Sequence, residues 1–451
     1  MNPAIFREYD IRGLAEKDFD ADFALLLGKV HGTAVYNKGG RRVSIGRDCR
    51  ATSNPYAEGV IKGLISAGLH VYDVGVCPTP LLYFSLFHLD VEGGVMITAS
   101  HNPAEYNGFK VCMGKETLHG AQIQNLRERM ERDEFKENPG GKRESYAIIP
   151  PYYEHLRRDV PSLARPLKVV LDAGSGVAGP VAPPIFRNLG CQVWEIACEM
   201  DGTFPIHHPD PTIPENLELL IDKVKEVKAD VGIAYDGDAD RIGAVDEKGN
   251  ILWGDELLIL FERDILKNKP GATIISEVKC SQRLFDDIEK RGGKPIMWKA
   301  GHSLLKAKMK ETKAVLAGEM SGHMFFADRY FGYDDAIYAS LRLVELLARS
   351  NKPLSQLLAD VPKSVNTPEI RVDCPDDKKF KIAERATEHF RKLYPVIDVD
   401  GVRVKFPEGW GLIRASNTQP ALVLRFEASS EAKLAEYRGI VESALRDLQR
   451  S

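Results

Sequence analysis

The chain has 451 residues, 43% of them hydrophobic and 28% charged, with a formal net charge of −4. This length exceeds what one hydrophobic core usually serves and predicts about three domains of an ordinary globular protein. The small negative charge supplies no basic field, so neither nucleic acid nor a membrane is an expected partner. No apolar run approaches the ~20 residues of a membrane span, and the first residues contain no apolar signal segment.

Seven cysteines are spread through the chain, and no two of them are spaced as Cys-x-x-Cys. The odd number and the spacing argue against a disulfide framework or a cysteine metal cluster. We therefore expect reduced cysteines that serve as small hydrophobic side chains, in a cytoplasmic protein.

Strand-like and helix-like segments alternate along most of the chain, which predicts α/β architecture. In the first part, the pattern predicts a strand over 42–46, a helix over 56–67 and a strand over 70–74. A polar, charge-rich stretch at 128–143 contains Pro139-Gly140-Gly141 and predicts the end of a first domain.

A second series of α/β elements begins with an apolar strand at 167–171. Pro214 opens an amphipathic helix, with Leu217, Leu220, Val224 and Val227 on one face, and a strand at 231–235 follows it. Further elements are expected as helices at 257–266 and 284–290 and strands at 273–275 and 314–317.

The last part of the chain has a different pattern. An extended segment at 362–375 precedes strands at 411–414 and 421–426. A final helix carries Leu434, Tyr437, Val441, Leu445 and Leu448 on one face, so we expect a small α+β domain.

The segment Thr98-Ala99-Ser100-His101-Asn102-Pro103 follows an apolar stretch and ends in a turn-forming Asn-Pro pair. Ser100 is therefore expected on a loop at the end of a strand, where open α/β sheets bind ligands. A serine carries a phosphoryl group only where its surroundings supply charge, and His101 and Lys110 are near in sequence. The alternative is that Ser100 and Asn102 only cap a turn.

A second loop, Asp236-Gly237-Asp238-Ala239-Asp240-Arg241, carries three carboxylates at alternate positions. These carboxylates can converge on one hard cation, and Arg241 can bind phosphate oxygens. An EF-hand begins with the same spacing and would use Glu247, but its sixth position needs glycine and is Arg241 here. A solvated acidic turn is disfavoured because the three like charges crowd together.

The segment Gly174-Ser175-Gly176-Val177-Ala178-Gly179 matches the dinucleotide fingerprint G-x-G-x-x-G. It follows a strand, and Glu195 lies 21 residues beyond Gly174, where a ribose-binding acid is expected. Nucleotide binding is therefore an alternative function. It is less favoured because no other part of the sequence supplies hydride chemistry, whereas several loops supply phosphoryl chemistry.

Two further polar loops contribute to that chemistry. Gly318-Glu319-Met320-Ser321-Gly322-His323 offers a carboxylate, a hydroxyl and an imidazole, which suit vicinal sugar hydroxyls. Arg414-Ala415-Ser416-Asn417-Thr418-Gln419-Pro420 offers a guanidinium, two hydroxyls and an amide, which suit a phosphate dianion. Each loop alone is also compatible with a plain polar turn.

These four motifs, in this order, resemble those of the α-D-phosphohexomutases along essentially the whole chain. The segments 318–323 and 328–335 are most similar to the bacterial phosphomannomutase/phosphoglucomutase branch, since the phosphoglucosamine mutase branch typically has Gln in place of Met320. The resemblance implies three related mixed-sheet α/β domains and a smaller α+β C-terminal domain around a central cleft. The corresponding domains are 1–149, 150–251, 252–362 and 363–451, and the glycine-rich loop at 174 opens the second.

The resemblance also assigns site residues by motif. Ser100 would be the phosphoserine and, with Asp236, Asp238 and Asp240, would hold Mg²⁺. The catalytic groups would be Ser100, Arg12, His101, Lys110, Arg241 and His323, with the general acid and base left open among Arg12, Lys110, His101 and His323. The substrate would be bound by Tyr9, Lys279, His302, Glu319, Ser321, Arg414, Ser416, Asn417 and Thr418. One departure from the family is Ala239, usually Gly, because a methyl group there restricts the loop backbone.

The implied reaction is an isomerisation of hexose 6-phosphates and hexose 1-phosphates, with mannose and glucose as the sugars. Phosphorylated Ser100 would give its phosphoryl group to O1 or O6, forming glucose or mannose 1,6-bisphosphate, and would then take back the other. We expect a monomer that binds hexose phosphates. The alternatives are a phosphoglucosamine mutase and a non-catalytic sugar-phosphate binder.

Overall fold

The structure, a computed structural model, describes residues 1–417 and 419–450. Its contacts divide the chain into two compact units. The first unit is Met1–Ile265 with Ser321–Leu358, and the second is Leu266–Met320 with Ala359–Ser451. The strands form four separate sheets, which helices accompany, as the expected α/β fold class requires. Within the described residues, every helix is too short or too polar to cross a lipid bilayer.

The first sheet is mixed and has seven strands. Its elements in chain order are a 3-10 turn (Pro3–Ile5), β1 (Ile11–Leu14), α1 (Ala21–Asn37), β2 (Arg42–Arg47), α2 (Ser53–Ser66), β3 (His70–Val76), α3 (Thr79–His88), β4 (Gly93–Ile97), β5 (Tyr106–Met113), β6 (Glu116–Thr117), α4 (Ala121–Glu131) and β7 (Lys142–Ser145). The strand order is β1-β5-β4-β2-β3-β7, with β6 paired to β5. Strands β2, β3, β4 and β7 run parallel, whereas β5 is antiparallel to both of its neighbours β1 and β4.

The predicted first elements are confirmed at β2, α2 and β3, whose apolar residues Val43, Val60 and Val71 are fully buried in one core. The polar stretch at 128–143 is not entirely a linker, because β7 begins at Lys142 and joins the first sheet. All four residues of β7 are exposed, so this edge strand has no apolar alternation by which the sequence could reveal it.

The second sheet is also mixed, in the order β12-β11-β10-β8-β9. Its elements are α5 (Ile149–Asp159), β8 (Lys168–Asp172), α6 (Ala182–Asn188), β9 (Gln192–Ile196), a 3-10 turn (Pro214–Leu217), α7 (Glu218–Val227), β10 (Val231–Tyr235), β11 (Ile242–Asp246) and β12 (Ile251–Leu252). The predicted amphipathic helix is confirmed: Leu217, Leu220 and Val224 pack in one core with Val227, and the first turn is 3-10.

The glycine-rich segment after β8 is not arranged for a dinucleotide. A Cβ atom at Gly176 would lie 2.6 Å from the carbonyl oxygen of Gly237, and one at Gly179 would lie 2.0 Å from that of Cys198. The space beside these two glycines is thus occupied by the protein's own backbone, at the place where a pyrophosphate would have to approach. Helix α6 begins only at Ala182, and Glu195 pairs with Arg187. The nucleotide-binding alternative is therefore wrong, and the loop is structural.

Helix α8 (Gly254–Asn268) leads to a third set of strands. The elements are β13 (Thr273–Glu277), α9 (Gln282–Lys290), β14 (Lys294–Trp298), α10 (His302–Thr312), β15 (Leu316–Gly318), β16 (Met324–Phe326), α11 (Ala336–Arg349) and a 3-10 turn (Leu354–Gln356). Strand β13 is parallel to both β14 and β15, so the carboxyl ends of these three strands lie at one edge. The segments predicted at 257–266, 273–275 and 284–290 are confirmed as α8, β13 and α9.

The C-terminal sheet is antiparallel, with the order β17-β22-β21-β20-β19 and β18 paired to β22. Its elements are β17 (Val365–Asn366), β18 (Ile370–Asp373), α12 (Asp376–Arg391), β19 (Val396–Ile397), β20 (Val402–Phe406), β21 (Gly409–Ala415), β22 (Ala421–Ala428) and α13 (Glu431–Arg450). Leu434, Tyr437 and Val441 of α13 are buried in the core of this sheet, so the predicted final helix is confirmed.

Candidate active site

Ser100 lies in the loop that joins the antiparallel strands β4 and β5 of the first unit, at the end of a strand as predicted. The loop is held by local bonds: Ser100 N donates to Thr98 Oγ1 at 2.9 Å, and Asn102 N donates to the carbonyl of Ala99 at 3.0 Å. Ser100 has a φ of +52°, in the left-handed region that is unfavourable for a residue with a Cβ atom. The serine is therefore held in a conformation that the surrounding structure must enforce.

The Ser100 hydroxyl contacts the acidic loop directly. Its Oγ donates to Asp236 Oδ2 at 2.6 Å and lies 3.0 Å from His101 Nδ1. Burial, followed by the charges of Arg241 and Arg12, holds the pKa of His101 well below its usual value. His101 is thus a neutral imidazole beside the hydroxyl at neutral pH.

The acidic loop joins β10 to β11 and brings its three carboxylates together in the interior. Asp236, Asp238 and Asp240 are fully buried, and one oxygen of each lies within 4.8 Å of the others. Asp236 Oδ1 also accepts from the amides of Asp240 and Arg241 at 3.0 and 3.1 Å, which closes the loop. Glu247, the twelfth position of the EF-hand alternative, instead accepts a 3.1 Å bond from Ser355 N.

Two groups, one on strand β5 and one at the start of helix α3, reach into this loop. Lys110 Nζ donates to Asp238 Oδ2 at 2.8 Å and also bonds Asp240 Oδ2, while Thr79 Oγ1 donates to Asp238 Oδ2 at 2.6 Å. Burial opposes the charge of Lys110, but the carboxylates of Asp238 and Asp240 raise its pKa well above the usual value. Lys110 is therefore a permanent cation here, held against the acidic loop.

The three carboxylates fit a divalent cation. Asp238 Oδ1 and Asp240 Oδ1 are buried and accept no hydrogen bond from any residue that the structure describes. Burial, with the charges of Asp240 and Asp238, raises the pKa of Asp236 well above its usual range. A hard cation would bind the two oxygens that accept no hydrogen bond and would reduce the repulsion between the three carboxylates. Carboxylate oxygens are the ligands that Mg²⁺ prefers.

His323 lies near Asp240 and Arg241. Its Nε2 accepts from Arg241 Nε at 3.0 Å, and its Nδ1 lies 3.6 Å from Asp240 Oδ1 and 3.4 Å from Asp334 Oδ2. Because Nε2 accepts from Arg241, Nδ1 is the ring nitrogen that faces the two carboxylates. Asp240, His323 and Asp334 also satisfy the spacing of a metal group, but the oxygen-only set is the better match to Mg²⁺.

Arg12 belongs to the same group of residues. It lies on β1 opposite Gly108 of β5, donates to Asn102 Oδ1 at 2.7 Å, and is paired with Asp10 at 2.5 Å. Tyr9 lies in the bend that precedes β1. The antiparallel pairing of β1 with β5 thus brings the N-terminal motif to the serine loop.

The second unit contains a separate set of the predicted residues. Lys279 follows β13 and pairs with Glu369 at 2.8 Å and Glu277 at 3.4 Å, while Glu319 Oε1 accepts from Gly301 N at 2.8 Å. Glu277 Oε1 accepts from Met320 N at 3.2 Å, so this buried acid supports both Lys279 and the loop that carries Glu319. Burial, only partly opposed by Lys279, raises the pKa of Glu277 to about 7.

The remaining predicted residues of this unit lie near the ends of two elements. His302 is the first residue of α10, and Arg414 near the end of β21 donates from Nε to Asp400 Oδ2 at 2.9 Å. Ser416 Oγ accepts from Gln419 N at 3.1 Å, and Asn417 is next to it. Thr418 lies outside the described residues. Ser321, which the sequence places beside Glu319, is counted in the first unit.

Several residues that contact these groups were missed by the sequence analysis. Thr79, Glu277, Asp334, Glu369 and Asp400 each contact a predicted residue. Glu277 alone carried a usable signal, because it ends a buried parallel strand, where ligand-binding groups concentrate. The others are defined by contacts between distant parts of the chain.

All seven cysteines, which fall within the described residues, are free thiols. Burial raises the pKa of the thiols of Cys49, Cys77 and Cys198 to about 12 each. These thiols are therefore uncharged at neutral pH, in keeping with the expectation of small hydrophobic side chains.

The fold and the serine–carboxylate arrangement together define an α/β enzyme of phosphoryl transfer. The chain matches all four domain families of the phosphoglucomutases/phosphomannomutases: α/β/α domain I over 3–137, II over 150–249, III over 253–365 and the C-terminal domain over 369–443. It belongs to this family, in the bacterial phosphomannomutase/phosphoglucomutase branch of the phosphohexomutases, and is an isomerase that interconverts hexose 6-phosphates and hexose 1-phosphates.

Individual relatives agree with this assignment over nearly their full length. The chain is 46% identical over 449 residues to a protein of Pseudomonas aeruginosa called phosphomannomutase/phosphoglucomutase, covering 99% of this chain and 96% of the relative. A phosphoglucomutase of Neisseria gonorrhoeae is 43% identical over 447 residues, with 97% of each chain covered. A crystal structure of a phosphoglucomutase/phosphomannomutase family protein from Burkholderia thailandensis has a TM-score of 0.93 at 42% identity, covering 100% of this chain and 98% of that one.

Proposed function

We propose that the chain moves a phosphoryl group between O6 and O1 of mannose and glucose phosphates, through phosphorylated Ser100 and a hexose 1,6-bisphosphate. The names of the relatives support these two sugars: the Pseudomonas protein is called a phosphomannomutase and phosphoglucomutase, and the Neisseria protein a phosphoglucomutase. The four matched families support domains at 1–149, 150–251, 252–362 and 363–451.

One observation carries the proposal: Ser100 Oγ donates to Asp236 within the buried carboxylate group. A phosphoryl group on that oxygen would add further negative charge at this position. Asp236, Asp238 and Asp240 would hold Mg²⁺, which supplies charge neutralisation at the phosphoryl oxygens. Lys110, already fixed on Asp238 and Asp240, would contribute a second positive charge, and phosphoryl transfer depends mainly on such positioning and electrostatic stabilisation.

The proton transfers require a group that is neutral before the reaction. The raised pKa of Lys110 makes it unsuitable as a base, and Arg12 and Arg241 stay charged, so we assign these three to the phosphoryl oxygens. The imidazoles of His101 and His323 are the two candidates for the general acid and base. His101 lies 3.0 Å from Ser100 Oγ, whereas His323 has its Nε2 fixed by Arg241. We therefore assign His101 to the proton of the Ser100 hydroxyl.

We assign the sugar and its non-reacting phosphate to the remaining residues. Glu319 and Ser321 have the carboxylate and hydroxyl that suit vicinal sugar hydroxyls, and Arg414 has the fork that suits a phosphate. Arg414 Nε pairs with Asp400 at 2.9 Å, so the position of the Arg414 guanidinium is defined before a ligand binds. The full set of proposed binding residues is Tyr9, Lys279, His302, Glu319, Ser321, Arg414, Ser416, Asn417 and Thr418.

Phosphopeptide mapping tests the proposal. The protein is incubated with Mg²⁺ and glucose 1,6-bisphosphate, its intact mass is measured, and the phosphate is mapped and then chased with mannose 1-phosphate or glucose 1-phosphate. We expect one phosphate on Ser100 that the monophosphate removes, and no phosphate on Ser100→Ala. A wild-type protein that turns over hexose phosphates without a phosphate on Ser100 would overturn the mechanism.

A comparison of turnover tests the sugar specificity. Turnover of glucose 1-phosphate and mannose 1-phosphate is measured beside that of glucosamine 1-phosphate under identical conditions. We expect both neutral sugars to be turned over with higher kcat/KM than the amino sugar. A clear preference for glucosamine 1-phosphate would favour the phosphoglucosamine mutase alternative, and binding without turnover of any sugar would favour the non-catalytic binder.

A further inference from the structure

Arg50, which no motif in the sequence singled out, binds the loop that carries Ser100. It follows β2 by three residues, and its side chain is fully buried. Nη2 donates to the carbonyls of Ser100 and Asn102 at 2.9 and 2.6 Å, and Nη1 donates to those of Pro103 and Tyr106 at 2.5 and 3.1 Å. Four backbone carbonyls of one short segment therefore converge on a single guanidinium.

The fifth donor of the guanidinium is also used. Arg50 Nε donates to Asp48 Oδ2 at 3.1 Å, and Asp48 Oδ1 accepts from Arg50 N at 3.0 Å and from Ser53 Oγ at 2.5 Å. A guanidinium has five N–H donors, so every donor of Arg50 is bound to the protein. The adjacent carboxylate balances its charge. Arg50 thus has no donor left for a phosphate, and its contribution is to the shape of the loop.

The shape that it maintains is an unfavourable one. The φ of Ser100 is +52°, and the left-handed region costs roughly 1–2 kcal/mol for a residue with a Cβ atom. The carbonyl oxygen of Ser100 is confined on the other side by Gly237, where a Cβ atom would lie only 2.5 Å from it. Arg50 and Gly237 together confine the peptide plane after Ser100, and hence the direction of the Cα–Cβ bond that carries Oγ.

We propose that Arg50 is a positioning residue that sets the orientation of Ser100 for phosphoryl transfer, without contributing to the binding of sugar phosphate. The inference rests on the proposed function of Ser100. Lysine at this position keeps the charge but offers three donors from one point, so it cannot reproduce a planar fork that spans four carbonyls. Displacing a reacting group by about 1 Å can lower a rate by about 100-fold.

Arg47 provides a matched control. It lies on the same strand β2, is mostly buried, and pairs with Asp73 at 2.7 Å, but none of its described contacts involves the Ser100 loop. Arg47→Lys therefore weakens a buried ion pair of the same sheet while leaving the serine loop in place. Any effect of Arg50→Lys that is caused only by loss of stability should also be seen in this variant.

The test compares Arg50→Lys, Arg47→Lys and the wild type by the rate at which glucose 1,6-bisphosphate phosphorylates Ser100, by kcat and KM for glucose 1-phosphate, and by Tm. For Arg50→Lys we expect phosphorylation and kcat to fall about 100-fold with KM within about twofold, and for Arg47→Lys a kcat within about threefold of wild type. Equal losses in both variants, or a change confined to KM, would overturn the proposal.

A second variant covers the case in which Arg50→Lys does not fold. Asp48→Asn keeps the acceptor for Arg50 N and Ser53 Oγ but replaces the acceptor of Arg50 Nε with an amide donor. It thereby disturbs the orientation of the guanidinium and removes the charge that balances it. We expect a loss of about tenfold in kcat at unchanged KM, and an unchanged kcat would overturn the proposal. Failure of the proposed function is distinguishable, because the wild type itself would then take up no phosphate at Ser100.

Discussion

Replacing Glu277 by Gln should remove a pH-dependent loss of stability from the second unit. Glu277 is fully buried at the end of β13, where its Oε1 accepts from Met320 N at 3.2 Å and lies 3.4 Å from Lys279 Nζ. Burial, with the negative charges of Glu319 and Glu369, outweighs Lys279 and raises the pKa of Glu277 from 4.5 to about 7. Gln has nearly the same shape and keeps the acceptor for Met320 N, but it cannot ionise.

The direction of this pH dependence follows from the linkage between proton binding and folding. A carboxyl group whose pKa is higher in the folded state stabilises the protein fully below its unfolded pKa, and this contribution is lost as the pH rises through the folded pKa. With values of 4.5 and about 7, the loss between pH 5 and pH 8 amounts to about 2.5 kcal/mol. The difference in stability between Glu277→Gln and the wild type should therefore change by about that amount over this interval, in favour of the variant at high pH.

Urea unfolding at pH 5, 6, 7 and 8 measures this difference, with each variant compared to the wild type at the same pH. Glu369→Gln is the matched control, because Glu369 also pairs with Lys279, at 2.8 Å, but its pKa is lowered from 4.5 to about 2. The stability contributed by Glu369 is lost only as the pH falls towards that value, so the shift in stability caused by Glu369→Gln should change between pH 5 and pH 8 by much less than the shift caused by Glu277→Gln. The reasoning is refuted if Glu277→Gln and the wild type lose stability in parallel.

Three further predictions concern the first unit. Ala239 has a φ of +61°, so Ala239→Gly should raise the free energy of unfolding by about 1 kcal/mol in urea titrations, and a decrease would contradict the strain argument. Gly176→Ala should lower stability by more than about 2 kcal/mol, because its Cβ would lie 2.6 Å from a backbone oxygen, and NAD should leave the wild-type Tm unchanged. Lys110→Met should lower the free energy of unfolding by about 3–5 kcal/mol in EDTA and by less in Mg²⁺, because it leaves buried carboxylates without their lysine. Equal losses of stability in both conditions would argue against a cation at this site.

The elements that the sequence predicted are those with strong apolar periodicity. Strand β10 has an uninterrupted apolar stretch, β2 alternates Val43 and Ile45 with other residues, and helix α13 has a clear apolar face. All three are confirmed. Helix α12 was missed because it opens with Asp376-Asp377-Lys378-Lys379 and buries two alanines among its few core residues. Strand β7 was missed because it is exposed throughout, so tertiary pairing with β3 and not local pattern creates it.

The site was predictable where its chemistry is concentrated in consecutive residues. Three aspartates at alternate positions converge in the structure because the loop between β10 and β11 is tight. Contacts between distant segments could not be read in this way: Thr79 and Asp238 are 159 residues apart, and Arg50 and Ser100 are 50 apart. A single threonine or arginine has many possible roles, and only the fold decides which carbonyl or carboxylate it meets.

The strained backbone of this site explains why its supporting residues come from several segments. Ser100 and Ala239 both have left-handed φ values, +52° and +61°, in two loops that touch where the Ser100 carbonyl meets Gly237. Such conformations persist only where surrounding interactions over-determine them. Arg50 fixes one loop through four carbonyls, and Lys110 and Thr79 fix the other through its carboxylates. A serine hydroxyl is a weak nucleophile, so the rate of phosphoryl transfer must come from holding the hydroxyl and the phosphoryl group in the correct relative position. Substitutions in the supporting residues should therefore lower the rate of transfer more than they weaken the binding of the sugar.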